Sequence, residues 1–304
     1  MEGIISIFNI HDEILAIILE CSEDTVRLFR ILVGVSRLMA NRLTKCLTYI
    51  VRISTSDYRI LDMFPGLTML AVNRNDTPNI KHGNFSISYF HPNIFNNLQH
   101  LEIPAECLEQ LNRTSFSRML DGKDELVYRM PKLKILSISR WGNSGMSDKY
   151  LNPKVIPAVE IITVTGFKMN IQDFNVSSLA IGLVFDIDVN ILNKLNIKFL
   201  YLYNCSFAST PNSVSILNNP RVSSLKLNNI SSTLDISNMN LVLLHVEHAG
   251  IIVSKLSHLT ELFITSSFVS RSGDEDSRMI KELKIVRHTK SENDIKLIKN
   301  MGYL

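Results

Sequence analysis

At 304 residues the chain is long enough for two ordinary domains or for one elongated repeat array. Apolar residues make up 45% and charged residues 20%, which excludes an intrinsically disordered chain, because that much apolar surface offsets the entropy lost on folding. The formal charge of +3 is small, and Lys and Arg are scattered rather than gathered into runs that would track a phosphate backbone, so nucleic acid is not an expected partner.

The first ten residues carry Glu2 and no basic flank, and Asp12, Glu13 and Glu20 interrupt the apolar stretch after them. Neither a secretory signal nor a membrane span fits that pattern. The expectation is an intracellular protein, cytoplasmic or nuclear and not secreted, with no membrane partner. Cys21, Cys46, Cys107 and Cys205 are far apart and form no CxxC pair, so buried reduced thiols are expected in place of zinc or a disulfide framework.

Residues 1–45 have a helical period. Ile14, Leu15, Ile18 and Leu19 fall on one face, Val26, Phe29, Val33 and Leu38 recur further on, and Ser22 is a plausible cap between two helices. From there the chain changes character. An apolar triplet of the form L-x-x-L-x-L, with Ile or Val freely replacing Leu, returns from Leu67-Leu70-Val72 and Leu98-Leu101-Ile103 to Ile280-Leu283-Ile285. From Ile162 onward its middle positions are 162, 179, 200, 225, 244, 262 and 283, in steps of 17, 21, 25, 19, 18 and 21. Those steps lie in or near the 20 to 29 residues of a leucine-rich repeat. One such unit cannot bury its apolar face, so the units are expected to stack as a parallel sheet with a continuous interior.

The usual Asn or Cys three residues after the triplet survives as Asn75 and Cys205, whereas Trp141, Phe167, Val184 and Ile230 occupy the same place elsewhere, so apolar packing is expected there. Two insertions lengthen the early repeats: a turn-rich one over residues 73–97, and one over residues 105–130 whose patterning predicts a helix ended by Pro131. At the far end Ser291 and Asp294 resemble a capping box for a helix over residues 294–301, with Gly302 as its stop. The expected fold class is therefore α/β, a leucine-rich-repeat solenoid over residues 46–290. A curved parallel sheet would form its concave side, with short helical or irregular segments on the convex side. A helical segment over residues 1–45 would precede it and a capping helix over residues 291–304 would close it.

Ile10-His11-Asp12-Glu13-Ile14-Leu15, followed by Ile18-Leu19 and by Val35-Ser36-Arg37-Leu38, resembles the F-box, with His11 where that family has proline and Met39 where it usually has tryptophan. The resemblance implies an F-box protein with leucine-rich repeats, the substrate-recognition subunit of a cullin-type ubiquitin ligase. Its box would dock a Skp-like adaptor and so join the cullin complex, while the repeats would select an unknown target protein. It places Ile14, Leu15, Ile18 and Val35 at the adaptor contact. The other reading is a repeat protein that binds or scaffolds a partner without any ligase, its first helices serving only to cap the array.

No catalytic residues are predicted, and no cofactor or metal. His245 and His248 are three apart on an expected strand, so they point to opposite faces and cannot share one ion. Asp186-Ile187-Asp188-Val189-Asn190 mimics the opening of a calcium loop, but Ile191 and Ile197 replace the turn glycine and the bidentate glutamate, leaving a polar turn. The run Gly273-Asp274-Glu275-Asp276 reads as a solvated loop. What remains is the outward side of the strands. Ser137, Ser139, Thr163, Thr165, Ser178, Ala180 and Gly182 are small, whereas Phe199, Tyr201, Tyr203, Lys226, His245, Glu247, Phe263 and Lys284 are large and mixed. Aromatic side chains on a rigid strand surface bury much area at little entropic cost, so these eight residues are the expected target-binding patch.

Overall fold

Each apolar triplet folds as a short strand with its apolar residues turned to one side, because residues two apart on a strand share a face. In a computed structural model of the protein the described residues are 11, 14–15, 17–18, 31, 42, 49–53, 66–72, 96–108, 117–120, 123–126, 130–140, 149–150, 156–170, 174–208, 214–254, 258–271 and 277–286. The chain divides into two compact units, Met1–Val159 and Glu160–Leu304. The acidic run over residues 273–276 and the expected helix over residues 294–301 lie outside the described residues.

In the first unit the strands are β1 (Tyr49–Ile53), β2 (Met69–Val72), β3 (His100–Pro104), β4 (Ser117–Leu120), β5 (Lys123–Leu126), β6 (Ile135–Ser139) and β7 (Lys149–Tyr150). β1, β2, β3 and β6 pair in parallel in that order, with Leu70, Leu101 and Leu136 in register. Leu67, Leu98 and Leu133, the first residues of their triplets, are buried beside them. Among the described residues, the helix expected over residues 105–130 is replaced by strands from Ser117 onward. Ala105–Cys107 is a single 3-10 turn, and β4 and β5 pair as an antiparallel hairpin, with Leu120 opposite Lys123. The two residues between those strands are Asp121-Gly122, a pair that favours the tight turn joining antiparallel strands and that outweighs the helical spacing of the apolar residues around it.

The second unit contains β8 (Ile161–Thr165), β9 (Met169–Asn170), β10 (Ser178–Gly182), β11 (Phe199–Cys205), β12 (Ser215–Ile216), β13 (Ser224–Asp235), β14 (Leu243–Val253), β15 (Glu261–Arg271) and β16 (Ser277–Val286). β8, β10, β11, β13, β14 and β15 form a parallel ladder with no slip over the triplets: Ile162, Leu179, Leu200, Leu225, Leu244 and Leu262 are partners in turn. All six are buried, as are Val164, Ile181, Leu202, Leu227, Val246 and Ile264 in the next inward row. Burying one such side chain stabilises by roughly 1.5–3 kcal/mol, and each rung adds two or three. The last triplet does not extend this ladder. β16 returns antiparallel to β15, because the connection over residues 272–276 is far too short for the crossover of about a dozen residues that a parallel partner needs.

The segments between the strands are mostly irregular among the described residues, one of the two forms expected for them. Among the described residues of this unit there is one helix, Val189–Lys194, started by Asp188, whose carboxylate accepts from the Asn190 amide at 2.9 Å. At its far end the buried Asn219 side chain donates to Leu195 O and adds a second bond to Leu192 O, which also accepts from the Leu195 amide. Elsewhere β13, β14 and β15 run on for 12, 11 and 11 residues and form a second parallel stretch, with Leu234 beside Ile251 and Ile251 beside Val269. Ile251-Ile252-Val253 and Thr233 are β-branched and suit a strand better than a helix.

One backbone feature recurs on all six parallel rungs. The residue after the last outward-facing position has a positive φ every time: Gly166 at 81°, Leu183 at 54°, Asn204 at 50°, Asn229 at 52°, His248 at 49° and Ser266 at 47°. The following residue on each rung, Phe167, Val184, Cys205, Ile230, Ala249 or Ser267, is then buried. The left-handed residue breaks strand alternation, so the chain turns a corner and points its next side chain inward. Asn229 Nδ2 donates to Asn204 Oδ1 at 2.6 Å, tying two corners together. Asn tolerates this conformation, whereas a β-branched side chain does not. His248→Val should therefore cost about 1–2 kcal/mol even though the imidazole is largely exposed, while His248→Asn should cost almost nothing. Urea denaturation of both variants checks this, and equal midpoints would remove the corner as a determinant of stability.

Candidate functional site

The outward side chains of the second unit fall into three rows, because the ladder is in register. The central row is Thr163, Ala180, Tyr201, Lys226, His245, Phe263 and Lys284, taken across β8, β10, β11, β13, β14, β15 and β16. On one flank lie Thr165, Gly182, Tyr203, Asn228, Glu247, Thr265 and Glu282. On the other lie Ile161, Ser178, Phe199, Ser224, Leu243 and Glu261. The eight residues expected from the sequence thus stand on one face and on adjacent strands.

They also touch. The Tyr201 and Tyr203 rings lie 5.1 Å apart, and the His245 and Phe263 rings 5.6 Å apart. Lys226 Nζ sits 4.9 Å from the centre of the Tyr201 ring, and Lys284 Nζ 5.3 Å from the centre of the Phe263 ring. Each such cation–π contact contributes about 0.5–1 kcal/mol at an exposed site, enough to bias where the long side chain rests. Burial, with Lys226 nearby, lowers the His245 pKa below its ordinary 6.5 against the opposing pull of Glu247, so at neutral pH the ring lies uncharged against Phe263. Tyr201 titrates above its ordinary 10.0, chiefly through desolvation, and stays a neutral phenol. Glu247 is held by Asn228, whose side chain donates to Oε2 at 2.6 Å. Phe199 stands apart from these contacts and is half exposed.

The small outward residues beside this patch have a part in it. Tyr203 does not stand upright: its ring lies over Gly182 on the neighbouring strand, where any Cβ would collide with it, and its hydroxyl is hydrogen-bonded to Thr165 Oγ1 at 2.6 Å one strand further on. Gly182 is buried under that ring. The run of small residues is thus a seat for Tyr203, and Tyr203 in turn walls the Tyr201 ring. Asn228 is the functional neighbour that sequence reading missed. Its signal was the register itself, which puts it opposite Glu247.

Of the four residues placed at an adaptor contact, Ile14 and Ile18 are about half exposed on a helical stretch, with Ile17 beside them at 56% exposure. Positions 14, 17 and 18 share a helix face. Leu15, expected on that face, instead points inward at 1% exposure, its amide bonded to His11 O at 3.0 Å. Val35 lies outside the described residues.

The remaining candidates resolve plainly. His245 faces the aromatic row, whereas His248 sits at the corner of β14 with Nε2 3.9 Å from Glu247 Oε1. Among the described residues no group of three or more His, Cys, Asp or Glu could hold a metal ion, and no helix is long and apolar enough to cross a membrane. Cys205 is buried, its thiol pKa pushed up by desolvation, with Sγ donating to Tyr203 O at 3.2 Å. A cleft of about 450 Å³ opens on the other side of the corners, lined by Ser231, Thr233, His248, Ser266 and Phe268 among others. Comparison of the chain with family models, with curated proteins and with solved structures finds no match.

Because Tyr203 needs the space over Gly182, Gly182→Ala should destabilise the protein by about 1–3 kcal/mol through overpacking. Tyr203→Ala should cost less in the Gly182→Ala background than in the wild type, so the double-mutant cycle should give a coupling of about 1 kcal/mol or more. Additive costs would mean that the ring does not depend on the glycine.

Proposed function

We propose that this chain is a protein-binding module whose central row captures a target protein, and that it serves as the substrate-recognition subunit of a cullin-type ubiquitin ligase. The observation that carries the binding reading is the row Tyr201, Lys226, His245, Phe263 and Lys284. Its His245–Phe263 pair, and Tyr201 paired with Tyr203 of the flanking row, are held on a regular parallel ladder, each pair with an ammonium group seated on it. Tyr, Trp and Arg dominate binding hot spots because a large surface is desolvated for few frozen rotors, and a strand-borne tyrosine beside a seated cation has the same properties. The target-binding set is Phe199, Tyr201, Tyr203, Lys226, His245, Glu247, Phe263 and Lys284. No catalytic role is assigned to any of them.

The ligase reading rests on the F-box-like segment and on the exposure of Ile14, Ile17 and Ile18, three apolar side chains turned outward on one helical face. A helix that only capped the array would bury that face. Docking of a Skp-like adaptor would cover it, while Leu15 holds the segment in place from the other side. Such a receptor works in the cytoplasm or nucleus. The second reading, a scaffold with no ligase attached, keeps the central row and assigns Leu15 and its neighbours to capping alone.

Two experiments on the full chain separate these readings. A photoreactive phenylalanine analogue at position 199 should cross-link a partner in the cells that express the protein. Tyr201→Ala combined with Phe263→Ala should cut that yield by tenfold or more, a loss of about 2 kcal/mol of binding, with the melting temperature nearly unchanged. An undiminished yield would clear the row of any role. Ile14→Asp combined with Ile18→Asp should abolish co-purification with a Skp-like adaptor, whereas Ile216→Asp, equally exposed on β12, should not. If the paired variant keeps its adaptor, the helix is not the docking site. If the wild type captures none, only the scaffold reading stands.

A further inference from the structure

The central row, taken as the docking face, has a charge pattern that narrows its partner, and the inference rests on that reading of the row. Lys226 and Lys284 are the two cations in it, and each has its ammonium group over an aromatic ring with no carboxylate within ion-pair distance among the described residues. Between the two ring-seated ammonium groups stands His245, uncharged, its ring tilted against that of Phe263. From Tyr201 on β11 to Phe263 on β15, the two rings that carry the ammonium groups, there are three strand spacings, or about 14 Å at 4.7–4.9 Å per strand. An extended chain rises about 3.3 Å per residue, so its residues i and i+4 are separated by about 13 Å and point the same way as residue i+2.

We infer that the face is built to receive an extended acidic segment of a partner protein laid across the strands, with carboxylates at i and i+4 over the ammonium groups of Lys226 and Lys284 and an apolar or aromatic residue at i+2 over His245. The match is one of both spacing and sign. Seating each lysine on a ring orders it in advance, so less rotamer entropy is lost when the carboxylate arrives.

The flanking rows exclude the other common polyanion. Glu247 and Glu282 line one side of the cations and Glu261 the other. A continuous run of phosphates would lie against these carboxylates wherever it left the two lysines, whereas a peptide with only two acidic positions meets charge at those positions alone. Residues i+1 and i+3 point away from the face.

The test uses the full chain and defined probes. A fluorescein-labelled peptide Gly-Glu-Ser-Phe-Ser-Glu-Gly is titrated by fluorescence anisotropy beside three controls: a scrambled peptide with adjacent glutamates, the same peptide with lysine for glutamate, and a short single-stranded oligonucleotide. The spaced acidic peptide should bind at least about tenfold more tightly than any control, and less tightly as salt rises. Lys226→Gln and Lys284→Gln should each weaken it about three- to fivefold, while Lys281→Gln, exposed on the same strand but outside the row, should leave it unchanged. Equal binding of the scrambled peptide or the oligonucleotide, no binding at millimolar peptide, or indifference to both lysine variants would overturn the inference. The docking face itself is judged separately by the cross-link at position 199. If that cross-link is lost in the Tyr201 and Phe263 variants but not in the lysine variants, the face is real and its partner is not acidic.

Discussion

The in-register parallel ladder of the second unit is the constraint on which the rest depends. Leu200 is opposite Leu225 and Leu225 opposite Leu244, so every residue two positions away is also matched. Side chains alternate with a period of two, and a one-residue slip on any strand would turn its core residues out and its outward residues in. The register is thus enforced by burial of the inward rows, at several kcal/mol per rung, and the outward row inherits that precision at no cost of its own. Lys226 rests on Tyr201, and Lys284 on Phe263, because leucines and isoleucines on the other side put their strands side by side.

The corner residues decide how far this regularity extends. A parallel strand can run on only while its partners keep pace, and each rung ends its outward face at a left-handed residue. Beyond the corner the rungs differ. β11 stops at Cys205, whereas β13, β14 and β15 continue, with a two-residue irregularity between Ile230 and Thr233 where β13 meets β14. That irregularity lies beside the cleft lined by Ser231, Thr233, His248 and Phe268, so the outward row is regular and the region past the corner is not. For a surface that must present several side chains at fixed spacing, the regular side is the better platform.

Much of this was legible in the sequence because it depends on periodicity. The triplets gave the strands, their facing and the eight side chains of the outward patch, and the apolar residues at Phe167, Val184 and Ile230 gave the inward column after the corner. What was not legible depends on partners rather than on period. The positive φ at Leu183 has no local signal, since leucine rarely adopts it, and only His248, Asn204 and Asn229, of residue types enriched in that region, hint at a shared conformation. The direction of β16 could not be read from Ile280-Leu283-Ile285, because an apolar triplet looks much the same from either end; the short connection before it was the discriminating fact. The hairpin of β4 and β5 was missed because apolar spacing was weighed above Asp121-Gly122. At the N-terminus, spacing alone put Ile14 and Leu15 on one face, yet adjacent residues of a helix stand about 100° apart, and packing took Leu15 inward and left Ile14 out.

The change from small to large side chains along the outward row follows from a single ring. Tyr203 is too long to stand among neighbours of its own size without leaving its hydroxyl partnerless, and it lies down across β10 toward β8, where Thr165 meets it. That requires no side chain at position 182. The aromatic patch therefore begins at β11 and extends only toward β16, since the β8 side is occupied by the seat. A polar contact at the edge of an aromatic cluster fixes the cluster laterally, as a hydroxyl has one good direction while a ring edge has many. Tyr201 is then confined between Tyr203 and Lys226, and restraint before binding is what lets a half-buried ring contribute more than its area alone would suggest.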